Sequence, residues 1–275
     1  MKAMRFALCL ALCLLLTACG APETKEAGEQ TQSILLGFSQ LGSESSWRLG
    51  NSESIQTAAA KAGVTLMFDN AEQKQEKQIK AIRSFIAYQV DVIAFSPIVE
   101  DGWDNVLREA KDAGIPVLTT DRMIKTEDQD LYVGFIGSDF YQEGVSAGEF
   151  LIKKAGEKTD VRIVEISGTI DSTPMRRRAE GFRDAIRGRG NLRLIDSVSG
   201  DFLRTKGKEC MREMLQKHER IDVIYSHNDA MTLGAIEAME ESGLRPGEDI
   251  VIITVDGEQV QMGSFLGCKI LGVNT

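Results

Sequence analysis

The segment WDNVLREAKDAGIPVLTTDR, residues 103–122, contains the unit that decides the fold. It has a helical pattern over Trp103–Ala113, then a glycine where a helix usually ends, then the apolar strand Pro116–Thr120. The strand does not alternate apolar with polar residues, which is typical of a parallel sheet that helices cover on both faces. The segment therefore predicts one helix–strand repeat of an α/β fold.

The same alternation extends on both sides of this segment. Before residue 137, strands are predicted at Ile34–Ser39, Val64–Asp69, Val92–Ser96 and Leu131–Ile136, with helices at Trp47–Ala62 and Gln73–Tyr88. After it, helices at Phe140–Ala155, Thr173–Arg187, Leu203–Lys217 and Met231–Ser242 alternate with strands at Val161–Ile166, Leu192–Ser197, Val223–Ser226 and Ile250–Val255. We predict two doubly wound parallel-sheet lobes, residues 33–137 and 138–275, joined by a tight hinge near Gly137.

The N-terminus has the pattern of an export signal. Lys2 and Arg5 precede the apolar run Phe6–Leu16, which is too short to span a bilayer and has the proportions of a signal peptide. The residues that end at Cys19 resemble the lipobox of bacterial lipoproteins, although an ordinary signal peptide with a chance cysteine is the alternative. We expect residues 1–18 to be removed, Cys19 to carry the lipid, and residues 19–32 to form a flexible tether. The folded part would face the periplasm or the cell exterior.

The composition argues against several functional classes. Apart from the lipidated Cys19, only Cys210 and Cys268 remain after cleavage, without metal spacing, and His218 and His227 are the two histidines of the chain. There is no phosphate loop and no serine–histidine pair after a strand, so we expect neither an enzyme nor a cofactor or metal site. The formal net charge is −9, and it becomes −11 when the signal peptide leaves, which disfavours a nucleic-acid partner.

Polar and aromatic side chains collect where the predicted strands end. In doubly wound folds, ligands bind beyond the carboxyl ends of the strands. Carboxylate, amide and guanidinium groups can pair with neighbouring hydroxyls, and an aromatic face can cover the apolar side of a ring. These residues predict a site for a polyhydroxylated ligand.

Several of these motifs resemble one known family. They are Gly37-Phe38-Ser39-Gln40, the stretch from Gly42 to Arg48, Asp121-Arg122, Gly200-Asp201-Phe202, His227-Asn228-Asp229 and Asp256-Gly257. Together they resemble the type I periplasmic binding proteins and, within them, the galactofuranose-binding branch of the ribose-binding-like group. The resemblance implies a monomeric protein that closes on a monosaccharide and delivers it to an ABC importer. The permease and ATPase of that importer would be separate chains.

The resemblance also implies which residues contact the sugar. They are Glu44, Ser45, Ser46, Trp47, Arg48, Asp121, Arg122, Arg178, Phe202, Asn228 and Asp256. In this assignment Trp47 is the ring platform and the Asp121-Arg122 pair holds vicinal hydroxyls. Structural alternatives remain open: Trp47 could pack in the core, Glu44 could be an exposed helix charge, Asp121 could cap a turn, and Arg178 could lie on a solvated helix face.

The C-terminal end departs from the family pattern. Family members continue beyond Asp256-Gly257 and return a strand and a helix to the first lobe, whereas this chain stops at Thr275. The strand for the last sugar-contacting amide aligns with Lys269–Val273, which places Ile270 or Leu271 at the amide position. We therefore expect a C-terminally truncated family member with weakened binding and an uncovered first sheet.

Competing functions use the same fold. A sugar sensor would present its closed form to a membrane receptor. A repressor core would need a DNA-binding helix pair where this chain has the signal peptide. A truncated, non-functional remnant would be exported but would fold poorly. The sequence does not determine which sugar is bound.

Overall fold

The computed structural model of the chain describes residues 33–257 and 270–274, the last five as backbone only. The predicted signal peptide, Cys19, the tether and Cys268 lie outside the described residues. Within those residues, no helix combines the length and the apolar character needed to cross a membrane.

Parallel strands form two sheets in the described part of the chain. The first sheet has the order β2-β1-β3-β4-β5 and contains Leu35–Gln40, Thr65–Asn70, Val92–Phe95, Val117–Thr120 and Gly134–Ile136 as β1 to β5. The second has the order β10-β9-β8-β6-β7 and contains Val161–Ser167, Leu192–Ser199, Val223–Ser226, Val251–Asp256 and Ile270–Asn274 as β6 to β10. Every strand pair is parallel, so the predicted fold class is confirmed.

The helices alternate with these strands close to the predicted positions. They are α1 Ser46–Ala62, α2 Gln75–Ala87, α3 Asp104–Asp112, α4 Phe140–Ala155, α5 Thr173–Ile186, α6 Arg204–Lys217 and α7 Asp229–Glu241. Gly114, just past the end of α3, has φ +74°, the left-handed conformation that the sequence predicted there.

The predicted strand Leu131–Ile136 is wrong in its first half. Gln129–Leu131 form a turn of 3-10 helix, and β5 starts only at Gly134. The Asp128 side chain accepts a hydrogen bond from the Asp130 backbone at 3.1 Å and stabilises the turn. Leu131 lies in this turn and packs in the first core. Its apolar side chain therefore reflects burial in the core and not a place in a strand.

Both sheets have the same chain topology. In each sheet, the strand that comes first in the chain lies between the second and the third. β1 therefore lies between β2 and β3, and β6 lies between β7 and β8. Connections leave such a switch point on opposite faces of the sheet and open a crevice at the carboxyl ends of the strands. Each sheet therefore offers one wall of a potential site.

Apolar side chains fill the space between sheets and helices. In the first core Trp103 is fully buried against Phe95, with ring centroids 4.9 Å apart, and its indole donates a hydrogen bond to the Val99 carbonyl. In the second half of the chain Phe182 stacks on Tyr225 at 4.2 Å. Trp103 is thus a structural residue.

Two glycines bring α4 and α5 unusually close together. A Cβ on Gly144 would lie 2.2 Å from the Arg178 carbonyl oxygen, and a Cβ on Gly181 would lie 2.1 Å from the Tyr141 carbonyl oxygen. Backbones this close leave no room for any side chain at the crossing. Glu143 precedes Gly144 on α4, and the close crossing brings it into contact with Arg178 on α5.

The C-terminal strand corrects the position of the expected amide. Parallel pairing sets Ile270 beside Ile252 and Leu271 beside Ile253, in the middle of β9. The position level with Asp256, at the carboxyl end of β9, is Asn274. Ile270 and Leu271 therefore do not lie at the carboxyl end of the strand, where a ligand-contacting amide is expected.

Candidate ligand-binding cleft

A cleft lies at the carboxyl ends of the strands and is lined from both halves of the chain. It holds about 540 Å³ of empty space, counting the part open to solvent. Its lining consists of Glu44, Ser45, Trp47, Arg48, Asp121, Arg122, Ser138, Phe140, Glu143, Pro174, Arg178, Phe202, Asn228 and Asp256. Of the residues predicted from the sequence, Ser46 alone is absent from this lining; it is exposed on the first turn of α1.

The first wall is built around Arg48. Ser45 caps α1 by accepting a hydrogen bond from the Arg48 backbone at 3.2 Å, which positions the side chain in the cleft. The Arg48 guanidinium contacts Asp121 at 2.6 Å and Glu44 at 3.1 Å. Burial alone would lower the pKa of Arg48, but Asp121 and Glu44 outweigh it and raise the pKa. The wall therefore holds a permanent cation between two carboxylates.

Arg122 joins the two walls. Its Nη1 donates a hydrogen bond to the Ile98 carbonyl at 3.0 Å, and its guanidinium lies 5.1 Å from the ring centroid of Phe202, which follows β7 in the second sheet. Burial and the nearby charge of Arg48 lower the pKa of Arg122 to about 10. Arg122 is still a cation at neutral pH, so the stacking on Phe202 is a cation–π contact across the cleft.

The second wall is built around Arg178. Its Nε donates to Glu143 Oε2 at 2.7 Å, its Nη1 donates to the His227 carbonyl at 2.5 Å, and its Nη2 lies 3.5 Å from Asp256. Burial would lower the pKa of Arg178, but Glu143 and then Asp256 raise it. The side chain is 7% exposed, which excludes the solvated helix face as its environment.

Burial and contacts also decide between the alternative environments that the sequence left open for Glu44, Trp47 and Asp121. The Glu44 side chain is 2% exposed, so it is not a surface helix charge. Trp47 is 39% exposed and lies under the Arg48 guanidinium at 4.7 Å, so it does not pack in the core. Asp121 bonds Arg48 rather than only capping a turn.

Several lining residues have a backbone conformation that only glycine adopts easily. φ is +61° at Asp121, +62° at Phe202 and +104° at Asp256. Asp121 and Phe202 come after β4 and β7, and Asp256 is the last residue of β9, so each lies where the chain turns away from a strand and all three line the cleft. Such residues are found where the surrounding fold maintains a local strain, often at binding sites.

Phe202 and Asn228 depend on each other. The Asn228 side chain caps α7 by accepting from the Met231 backbone at 3.0 Å and donates to the Phe202 carbonyl at 3.4 Å. A Cβ on Gly168 would lie 1.9 Å from the Phe202 ring, so a glycine is needed for the ring to occupy this place. Asn228 therefore has a structural role in addition to its place in the lining.

Sequence reasoning missed Ser138, Phe140, Glu143 and Pro174. Ser138, Phe140 and Glu143 lie at the start of α4, where Asp139 caps the helix by accepting from the Gln142 backbone at 3.1 Å. The one available signal was a glutamate at helical spacing from a phenylalanine, on a face that also contains glycines. Such a face is common in ordinary cores, so the signal has little specificity.

Comparisons with known proteins agree with this geometry. A family model described as a periplasmic binding protein domain matches residues 36–265. The galactofuranose-binding protein YtfQ of Escherichia coli is 43% identical over 227 residues, which cover 82% of this chain and 71% of that protein.

Solved structures give the same result. A Mycobacterium smegmatis protein in complex with β-D-fucofuranose has TM-score 0.85 and 47% identity, covering 86% of this chain and 79% of that one. The binding protein of the arabinose ABC transporter of a Shewanella species, bound to L-arabinofuranose, has TM-score 0.84 and 43% identity, covering 88% and 80%. The chain therefore belongs to the family of periplasmic binding protein domains.

Proposed function

We propose that the chain binds a furanose monosaccharide in the cleft and serves as the sugar-binding protein of an ABC importer. The observation that carries the proposal is the pairing of buried arginines with carboxylates on both walls, beside the exposed Trp47 and the buried Phe140 and Phe202 of the lining. The relatives support the ligand class, because their names and complexes include galactofuranose, β-D-fucofuranose and L-arabinofuranose. These relatives are described as binding proteins rather than enzymes.

The charges of the lining suit an uncharged ligand with many hydroxyls. Its carboxylates are Glu44, Asp121, Glu143 and Asp256, and its cations are Arg48, Arg122 and Arg178. The cations already lie against carboxylates, so a charged ligand would enter a site whose charges are largely compensated. Neighbouring sugar hydroxyls can instead donate to a carboxylate and accept from the adjacent guanidinium.

We propose that the described structure corresponds to a closed state of two lobes divided near residues 137 and 138. Direct contacts between the halves support this. The Glu100 backbone donates to the Asp171 carbonyl at 2.9 Å, and Thr173 Oγ1 exchanges hydrogen bonds with the Met123 backbone, both at 3.0 Å. Arg176 contacts Glu100 at 2.8 Å. A ligand that contacts both walls favours this state, and the importer would recognise it.

A thermal-shift experiment tests sugar binding. D-galactose, D-fucose and L-arabinose should raise the melting temperature of the full chain, since a ligand at 100 times its Kd stabilises the folded state by about 2.7 kcal/mol. Asp121→Asn should weaken the shift, and the exposed Asp101→Asn should leave it unchanged. A cooperative melt that none of these sugars moves would contradict the proposal.

We further propose that residues 1–18 direct export and that Cys19 carries the lipid anchor, which would hold the protein at the outer face of a membrane. The proposal rests on the order of basic, apolar and small residues before Cys19. In cells fed a labelled fatty acid, the full chain should be labelled and Cys19→Ser should not. Cys13→Ser, within the signal peptide, should keep the label. Retention of label by Cys19→Ser would show that the anchor is elsewhere or absent.

A further inference from the structure

Each wall of the cleft contains a buried glutamate that uses only one of its oxygens. On the first wall, Glu44 Oε1 accepts from Arg48 Nε at 3.1 Å, while Oε2 has no hydrogen-bond partner among the described residues. On the second wall, Glu143 Oε2 accepts from Arg178 Nε at 2.7 Å, while Oε1 has none there. The Glu143 side chain is 7% exposed. The two walls thus share one arrangement, although the sequence predicted only Glu44.

A third buried glutamate shows what a structural role requires. Glu165 Oε1 lies 3.1 Å from His227 Nε2 and 3.3 Å from Arg183, and Oε2 accepts from Arg183 and Ser197, both at 2.5 Å. Glu165 does not line the cleft, and its neighbours satisfy both oxygens. Its burial would raise its pKa, yet these donors lower the pKa to about 2. A buried glutamate in this fold can therefore have hydrogen-bond donors for both of its carboxylate oxygens.

Glu143 differs in ways that point to the cleft. Only one of its two oxygens has a donor among the described residues, and burial raises its pKa despite the contact with Arg178. A buried acceptor without a partner destabilises the protein, because it has lost its hydrogen bonds to water without replacing them. Since Glu143 is part of the cleft lining, a donor from a ligand can reach the wall in which this oxygen lies.

We infer that Glu143 is a specificity-determining residue whose Oε1 accepts a hydrogen bond from one hydroxyl of the bound sugar, while Oε2 stays on Arg178. The inference rests on the proposed sugar-binding function. A sugar that lacks this hydroxyl leaves Oε1 buried without a donor in the complex. A site built around a hydroxyl rejects the deoxy analogue for this reason.

The test is a cycle between protein and ligand variants, measured by titration calorimetry on the full chain. The probe is whichever of D-galactose, D-fucose and L-arabinose shifts the melting temperature most, together with its monodeoxy analogues. The wild type should bind one analogue about 10- to 100-fold more weakly than the parent sugar, as expected for a hydrogen bond to a charged acceptor. Glu143→Gln should weaken the parent sugar but change that analogue little, so that the discrimination falls at least about fivefold.

Further variants separate the outcomes. Glu143→Asp keeps the charge but withdraws the carboxylate, and it should show the same selective loss. Glu180→Gln breaks an exposed glutamate–arginine pair on α5, Arg177 to Glu180 at 2.6 Å, and should change no affinity. Equal weakening of the parent sugar and all analogues in both Glu143 variants would leave Glu143 with a structural role only and would overturn the inference, while sugar binding stands. A wild type that binds none of the probes would overturn the proposed function and this inference with it.

Discussion

Replacing Arg178 by methionine should lower the free energy of unfolding by about 3–5 kcal/mol at pH 7 and abolish sugar binding. Methionine fills a similar volume but removes the cation that compensates Glu143 and Asp256, both of which belong to the second wall. A buried carboxylate that loses its counter-ion is far more costly than an exposed one. Urea denaturation monitored by circular dichroism measures the change.

The deficit of Arg178→Met should shrink as the pH falls. Burial already raises the folded-state pKa of Glu143 above the unfolded value, and loss of the arginine raises it further, so the cost is present at high pH and relieved once the carboxyl is protonated. Denaturation at pH 7 and pH 5 gives the sign. Arg177→Met is the matched control, because Arg177 is next to Arg178 in the chain but its side chain is 40% exposed, and the change should alter stability by no more than about 0.5 kcal/mol. A loss below about 1 kcal/mol in Arg178→Met would show that the buried pair contributes little.

The second large effect is expected at the crossing of α4 and α5. Gly144→Ala and Gly181→Ala should each destabilise the protein by about 1–3 kcal/mol or more, since each new Cβ would collide with backbone of the facing helix and the helices must separate. The clash exceeds the gain of about 0.5–1 kcal/mol that alanine has over glycine within a helix. Sugar affinity should fall as well, because the separation moves Glu143 away from Arg178.

The double variant sharpens this prediction. Once the first alanine has separated the helices, the second finds room, so Gly144→Ala with Gly181→Ala should cost less than the sum of the single changes. Gly50→Ala is the control: it lies within α1, nothing surrounds its added Cβ within 4 Å, and it should stabilise the protein slightly. Two results would argue against a tight crossing. One is a double variant whose loss of stability equals the sum of the single losses, and the other is single variants that are as stable as Gly50→Ala.

Much of the fold could be predicted from the sequence because its signals are local. An apolar strand, a helix of period 3.6 and a glycine past the helix end each occupy a short window, as in residues 103–122. The failure at Leu131 has the same origin, since a buried apolar residue in a short 3-10 turn looks like a strand residue. The register error at Ile270 and Leu271 arose because pairing with β9 is not local.

The candidate site was predicted in large part because doubly wound folds place strand ends together. Asp121 directly follows β4, Asp256 is the last residue of β9 and Phe202 lies three residues past β7, so this rule directs attention to all three, while the family resemblance assigned them to the sugar. Glu143 could not be selected in this way, because it lies a full helical turn into α4 and reaches the cleft only through the crossing with α5. Whether the lining residues bind sugar stays a prediction that the titrations above decide.

The sequence by itself determined the alternation of helices and strands, the parallel character of the sheets and the residues at the strand ends, since each depends on neighbours a few positions away. The tertiary structure decided which of these groups compensate each other. Glu143 and Arg178 are 35 positions apart in the chain, and their contact requires two glycines that let the helices approach. It also decided that one oxygen of Glu143 and one of Glu44 find no donor among the residues that the structure describes, because only the packed walls determine which hydrogen-bond partners are within reach.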